Sequence, residues 1–239
     1  MLFFDPTMLL MIPGLLLGMW AQMKLSAAYG RYSKQPVESG LTGAEAARHI
    51  LDRAGLHNVA VNPVQGHLTD HYDPIKRALF LSQENFLGRS IAALGVAAHE
   101  AGHALQTQAA YKPLQLRMML VPATNFASKA AFLILGGGFI LAMMGMISKA
   151  MLVAILPYAI GAYAVVAFFQ LITLPVEYDA SRRAKERLAS LGLISQREVP
   201  HVSTMLNAAA LTYVAALVTA VLELLRLILI ARGMSDDRS

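Results

Sequence analysis

Two long apolar runs with almost nothing between them restrict this chain more than any other feature. Ala130 to Ile147 and Ala150 to Leu174 are each long enough to cross a hydrocarbon core as a helix, and only Ser148-Lys149 separates them. In lipid every backbone polar group must be satisfied within its own segment, so such a pair folds as a helical hairpin. Whatever follows Leu174 therefore returns to the membrane face that Ala130 left. Two further runs join them. Met8 to Met23 is mostly apolar, with Trp20 where an interfacial aromatic belt would lie. No Lys or Arg precedes it and no convincing small-x-small cleavage site follows, so it reads as an uncleaved first span and not a signal peptide. Ala208 to Ala231 is the fourth, interrupted by Glu223 and Arg226, whose i,i+3 spacing suits pairing or snorkelling over an intramembrane functional site. A chain with 56% hydrophobic and 15% charged residues is too apolar for an ordinary soluble domain, as spans of this kind require.

From Lys24 the chain turns polar. Thr42-Gly43-Ala44-Glu45 has the form of a capping box opening an amphipathic helix through Leu56, with Ala46, Ala47, Ile50, Leu51 and Ala54 on one face. Val59 to Val64 and Ala78 to Ser82 read as short strands around a turn-rich stretch from Gly66 to Pro74. Ala78 to Ser82 is expected either as an exposed edge, able to pair with an extended peptide, or as half of a plain hairpin covering the core. His67 and His71 read as solvated or hydrogen-bonding turn residues.

A helix from about Ser90 to Gln108 carries Ala97-Ala98-His99-Glu100-Ala101-Gly102-His103, an HExxH run. Residues four apart share a helix face, so His99 and His103 can aim two imidazoles at one tetrahedral zinc, with Glu100 beside the position left for water. The chain has no cysteine, which excludes disulfides and thiolate sites and leaves His, Asp and Glu as ligands. Small residues at Ala92, Ala93, Gly95, Ala97, Ala98, Ala101, Gly102 and Ala104 permit close approach of neighbouring helices. Gly102 costs helix propensity of about 1 kcal/mol against Ala, which points to a packing or access reason.

At the return from the hairpin stands Leu174-Pro175-Val176-Glu177-Tyr178-Asp179-Ala180-Ser181-Arg182-Arg183-Ala184, expected as a helix start with Thr173 as N-cap and Pro175 in the first turn. Glu177, Ala180, Ser181 and Ala184 share a small-residue face with one carboxylate, which makes Glu177 the natural third ligand. Asp179 is the alternative, with Glu177 then a carboxylate favoured by the helix dipole. Arg182, Arg183, Lys185, Glu186 and Arg187 fall on the solvated sides, with room for one Arg to turn inward. Zinc-assisted peptide hydrolysis needs a second donor to the oxyanion, and Tyr213, Arg183, His201 and Asn125 are the candidates. Tyr213 also fits an interfacial belt and Asn125 a helix cap.

AAHEAGHALQ, the preceding LTDHYDP and LFLS, and the later PVEYDASRRA and AAALTYVAAL together resemble the YugP-type neutral zinc metallopeptidases of bacterial membranes, over nearly the whole chain and in order. That family is similar to the HtpX-type and CAAX-processing membrane gluzincins. The resemblance implies a minimal gluzincin domain fused to membrane helices, with His99, His103 and Glu177 holding zinc and Glu100 as base. Wider gluzincins often place an Asp four residues after the ligand Glu to orient the first His; here Ser181 stands there, so Asp179 or Ser181 must serve.

The expected fold is thus a mainly α integral membrane protein: a first membrane helix over 1–23, zinc-peptidase parts over 24–129 and 175–207, a transmembrane hairpin over 130–174, and a last membrane helix and tail over 208–239. Eleven Lys and Arg lie between Lys24 and Lys129 and five between Pro175 and Asn207, against one in the Ser148-Lys149 turn, which puts the catalytic parts on the cytoplasmic side of a bacterial inner membrane. The +5 charge suits an anionic leaflet; no dense basic patch with interleaved aromatics is present, and nucleic acid is excluded as a partner. The expected partners are the bilayer and a peptide or protein substrate, membrane proteins included. Two other readings stand beside this one. A site-2-type intramembrane protease would need HExxH inside a span and an LDG sequence, and neither is present. A membrane assembly factor with structural zinc would need a fourth ligand such as His201.

Overall fold

A computed structural model describes residues 6–236. After a 3-10 turn at Pro6–Leu10 come helix α1 (Met11–Tyr32), α2 (Gly43–Arg53), strands β1 (Ala60–Val64), β2 (His71–Asp73) and β3 (Ala78–Ser82), and helices α3 (Gln83–Leu87), α4 (Ile91–Gln108), α5 (Lys112–Phe132), α6 (Gly138–Met143), α7 (Lys149–Ser190) and α8 (Val199–Asp236). The fold is mainly helical with one small sheet, and four of its helical stretches are long and apolar enough to cross a membrane. The described residues divide into two compact units, one of 6–20, 116–174 and 213–236, the other of 21–115 and 175–212.

The first unit holds the apolar runs. Its second apolar stretch passes from α5 into α6 through a π-helix at Leu133–Gly137, where the Gly136-Gly137-Gly138 run removes the side chains that would resist the wider turn. The hairpin turn is longer than the expected Ser148-Lys149. Gly145, with a φ of 69°, ends α6 in a Schellman motif: Met146 donates to the Leu141 carbonyl at 2.9 Å and Gly145 to that of Ala142 at 3.1 Å. The Ser148 hydroxyl then accepts from Met151 N at 3.2 Å and caps α7. Arg226 and Glu223 pair at 2.9 Å within α8, as their spacing suggested.

The expected helix start at Thr173 does not occur. Helix α7 runs unbroken through Pro175 for 42 residues, so Thr173 is a buried mid-helix residue and no N-terminal dipole acts on Glu177. The turns preceding Pro175 are already helical, and the proline takes its N–H out of the ladder and crowds the Leu171 carbonyl without ending the helix.

In the second unit the Thr42 capping box forms, with Glu45 N donating to the Thr42 hydroxyl at 3.2 Å and Thr42 N to the Glu45 carboxylate at 2.8 Å. Helix α2 stops at Arg53, short of Leu56, because Leu56 N folds back to the Leu51 carbonyl at 2.8 Å. The sheet order is β1-β3-β2, parallel between β1 and β3 and antiparallel between β3 and β2. Ala78 to Ser82 is therefore not a free edge: it forms a hairpin with β2 over the core, and β1 pairs with its other side, which makes it the central strand. Its Leu79 and Leu81 enter the core with Ile50, Leu51, Ile91, Leu94, Leu188 and Met205. Helix α4 crosses this core almost wholly buried. A Cβ on Gly102 would stand 2.5 Å from the Ala180 carbonyl oxygen, so α4 and α7 meet backbone to backbone there, which is the packing reason for a glycine in mid-helix.

Candidate metal centre

Ser90 caps α4 by accepting from Ala93 N at 3.2 Å, and the helix that follows carries His99 and His103 one turn apart, with ring centroids 4.9 Å from each other and nearly perpendicular planes. Against them lies the small face of α7, where Ala180 and Ala184 are buried beside Glu177. The Glu177 Oε2 atom is 3.1 Å from His99 Nε2 and 3.7 Å from His103 Nε2. Metal bonds of about 2.0–2.1 Å in a tetrahedron require ligand atoms roughly 3.3 Å apart, and the two observed separations bracket that value. One donor atom from each of the three residues lies within 4.8 Å of the others, and among the described residues this is the one group of three or more such side chains. Two imidazole nitrogens and a carboxylate oxygen are donors that zinc accepts. Glu100 follows His99 on α4 and is buried.

The other ring nitrogens are held too. His99 Nδ1 is 3.1 Å from the Ser181 hydroxyl, and His103 Nδ1 is 3.0 Å from Gln106 Oε1. Burial pushes the His103 pKa down, but the Glu177 carboxylate, with Glu100 and Gln106 adding to it, more than offsets this, and the net shift is upward.

Asp179 is not in the cluster. It accepts from Gln106 Nε2 at 3.0 Å and from Arg183 Nε at 2.6 Å, and pairs with Arg182 as well. Arg183 is the arginine that turns inward, its guanidinium 5.8 Å from the Tyr111 ring centroid. His201 packs instead on Tyr32, with centroids 5.4 Å apart, and meets Gln35 at 3.2 Å. His67 pairs with Glu84 beside Tyr29; His71 is not a turn residue but opens strand β2, where it stacks on its strand partner Phe80 and reaches the Thr69 carbonyl. Asn125 is an exposed residue in the middle of α5 and caps nothing, while Tyr213 is half-buried in α8. Gln106 escaped the sequence reading. Its signal was position alone, three residues after His103 and so on the same helix face.

The profile of a family described as "Putative neutral zinc metallopeptidase" matches residues 7–232. The chain belongs to this family. The "Putative membrane protease YugP" of Bacillus subtilis (strain 168) is 47% identical to it over 228 residues, which is 95% of this chain and 97% of that protein. No solved structure matches. Zinc is thus the metal of the neutral zinc metallopeptidase family to which the chain belongs, and the His99, His103 and Glu177 group is able to bind one.

Proposed function

We propose that the protein is a membrane-bound zinc endopeptidase of the gluzincin type, with His99, His103 and Glu177 as ligands and Glu100 as general base. The observation that carries this reading is the convergence of two α4 imidazoles and one α7 carboxylate at metal-ligand spacing, with the HExxH glutamate adjoining. When bound, zinc supplies Lewis acidity, lowering the pKa of a coordinated water towards about 7 and polarising the scissile carbonyl. Glu100 takes the proton of the attacking water and delivers it to the leaving amine nitrogen. Burial keeps its carboxylate out of bulk water. Ser181 and Gln106 hold the rings of His99 and His103 in place. The developing oxyanion calls for a donor from the chain. Tyr213 and Arg183, the latter already donating to Asp179, are the side chains to test for that role.

The substrate is a peptide or protein, membrane proteins included. The distribution of Lys and Arg supports a bacterial inner-membrane location with the catalytic parts on the cytoplasmic side. Helix α4 is in none of the four candidate spans, which favours this reading over a site-2-type protease. His201, packed on Tyr32, leaves three ligands and an open position, which favours catalysis over a structural zinc. Detergent-purified protein is expected to hold about one zinc and to cleave casein or a peptide library. Glu100→Gln should keep the metal and lose cleavage; Glu177→Ala should lose the metal. Zinc retained in Glu177→Ala would remove that ligand, and unchanged activity in Glu100→Gln would sink the mechanism.

A further inference from the structure

Gln106 is completely buried, and both ends of its amide are committed. Its Nε2 lies 2.8 Å from the Val176 carbonyl oxygen and 3.0 Å from Asp179 Oδ2. A carbonyl has no proton to give, and neither has Asp179, ionised as it is by Arg182 and Arg183. Both partners accept only, so the group facing them must be the NH2, with each hydrogen spent on one of them. The opposite end of the amide is then a bare oxygen, and it faces His103 Nδ1 at 3.0 Å. An acceptor there requires a proton on Nδ1. The neutral His103 imidazole is consequently held with its lone pair on Nε2, the atom that faces Glu177.

The same amide grips the backbone carbonyl of Val176, the residue immediately before Glu177. One side chain thus sets the tautomer of a ligand on α4 and ties down the stretch of α7 that supplies another. Ser181 beside His99 differs in kind, because a hydroxyl both donates and accepts and serves either tautomer.

We infer that Gln106, backed by Asp179 and Arg183, is the positioning residue that fixes His103 as the Nδ1–H tautomer and so presents Nε2 to the metal. This rests on the reading of His103 as a ligand. The test uses full-length protein in detergent. Metal-free wild type with 15N-labelled histidine is examined by NMR as the pH is raised above the ordinary imidazole value until the His103 signals stop shifting, and those signals are assigned by their loss in His103→Asn. The Nδ1–H tautomer is expected. Gln106→Met, similar in length but without an acceptor, should lose that single tautomer, bind Co2+ about 10–100-fold more weakly and shift the Co2+ absorption bands. An Nε2–H tautomer in wild type overturns the inference, with no variant needed. So does a variant with unchanged tautomer and Co2+ affinity. Wild type that takes up neither Co2+ nor zinc refutes the zinc-peptidase reading instead, and the metal-free tautomer still decides the role of Gln106.

Discussion

In the unit that carries the apolar runs, Phe126 and Phe132 are 76% and 77% exposed while Ala127 and Ala131 are buried; in the unit that carries the HExxH helix, Leu79 and Leu94 are fully buried. The two units invert each other's use of large apolar side chains. A bilayer solvates Phe and Leu as well as a core does, so helices there approach through small residues. The Cβ that Gly14 lacks would meet Thr219 Oγ1 at 3.0 Å. Water forces the opposite in the second unit, where large side chains fill the interior. Yet α4 and α7 also meet there through alanine and glycine, and two backbones this close let His99, His103 and Glu177 converge. A small-residue face therefore accompanies membrane-type packing in one unit and the convergence of His99, His103 and Glu177 in the other.

The sharpest break between the units is chemical. Glu100→Gln should cut peptide cleavage by about 10²–10⁴-fold with zinc retained, and no conservative change at an exposed residue of the first unit, such as Phe132→Leu, should come near that. Cleavage rates and zinc content of the two purified variants decide it; comparable losses would mean that the site is not where the donors converge. Next in size is core truncation. Leu94→Ala should cost about 2–5 kcal/mol and lower the unfolding temperature clearly, whereas Phe126→Ala in the exposed belt should leave detergent stability nearly unchanged. Thermal unfolding followed by circular dichroism would reveal equal shifts if the exposure difference has no energetic meaning.

Glycine substitution sharpens the comparison. Gly102→Ala drives a methyl into the Ala180 carbonyl and should cost about 1–3 kcal/mol along with metal affinity. Gly161→Ala, whose added methyl meets nothing within 4 Å beyond its own stretch of helix, should gain up to about 1 kcal/mol of helix propensity. Opposite signs are expected in the same assay, and a neutral Gly102→Ala would disprove the close approach.

The smallest effect is a pH dependence confined to the second unit. The raised pKa of His103 in the metal-free fold means that the protonated imidazole beside Glu177 adds stability that is complete below about pH 6.5 and fades as pH rises through the higher folded value. Zinc needs neutral imidazoles, so its contribution runs the other way and falls on acidification. The difference in unfolding temperature between zinc-loaded and chelator-treated protein should shrink from about pH 8 to about pH 6. A constant difference would mean that no histidine proton is exchanged for the metal.

What the sequence alone determined was local. Four apolar runs, the HExxH spacing, the Thr42 capping box and the i,i+3 pair Glu223 and Arg226 depend on periods of two to four residues or on continuous stretches, and each is legible without knowing what lies opposite. Tertiary structure decided the rest. Ala78 to Ser82 became a central strand because β1 and β2 both pair with it, Pro175 was absorbed into one long helix, and Asp179 turned to Gln106, Arg182 and Arg183 while Ser181 took His99. Gln106 looked like one more polar residue at the end of a helix until α7, seventy residues away from it in sequence, supplied the carbonyl and carboxylate that fix the direction of its amide. Hydrogen-bond direction depends on which acceptors stand across a contact, and no pattern within a single helix encodes its partner.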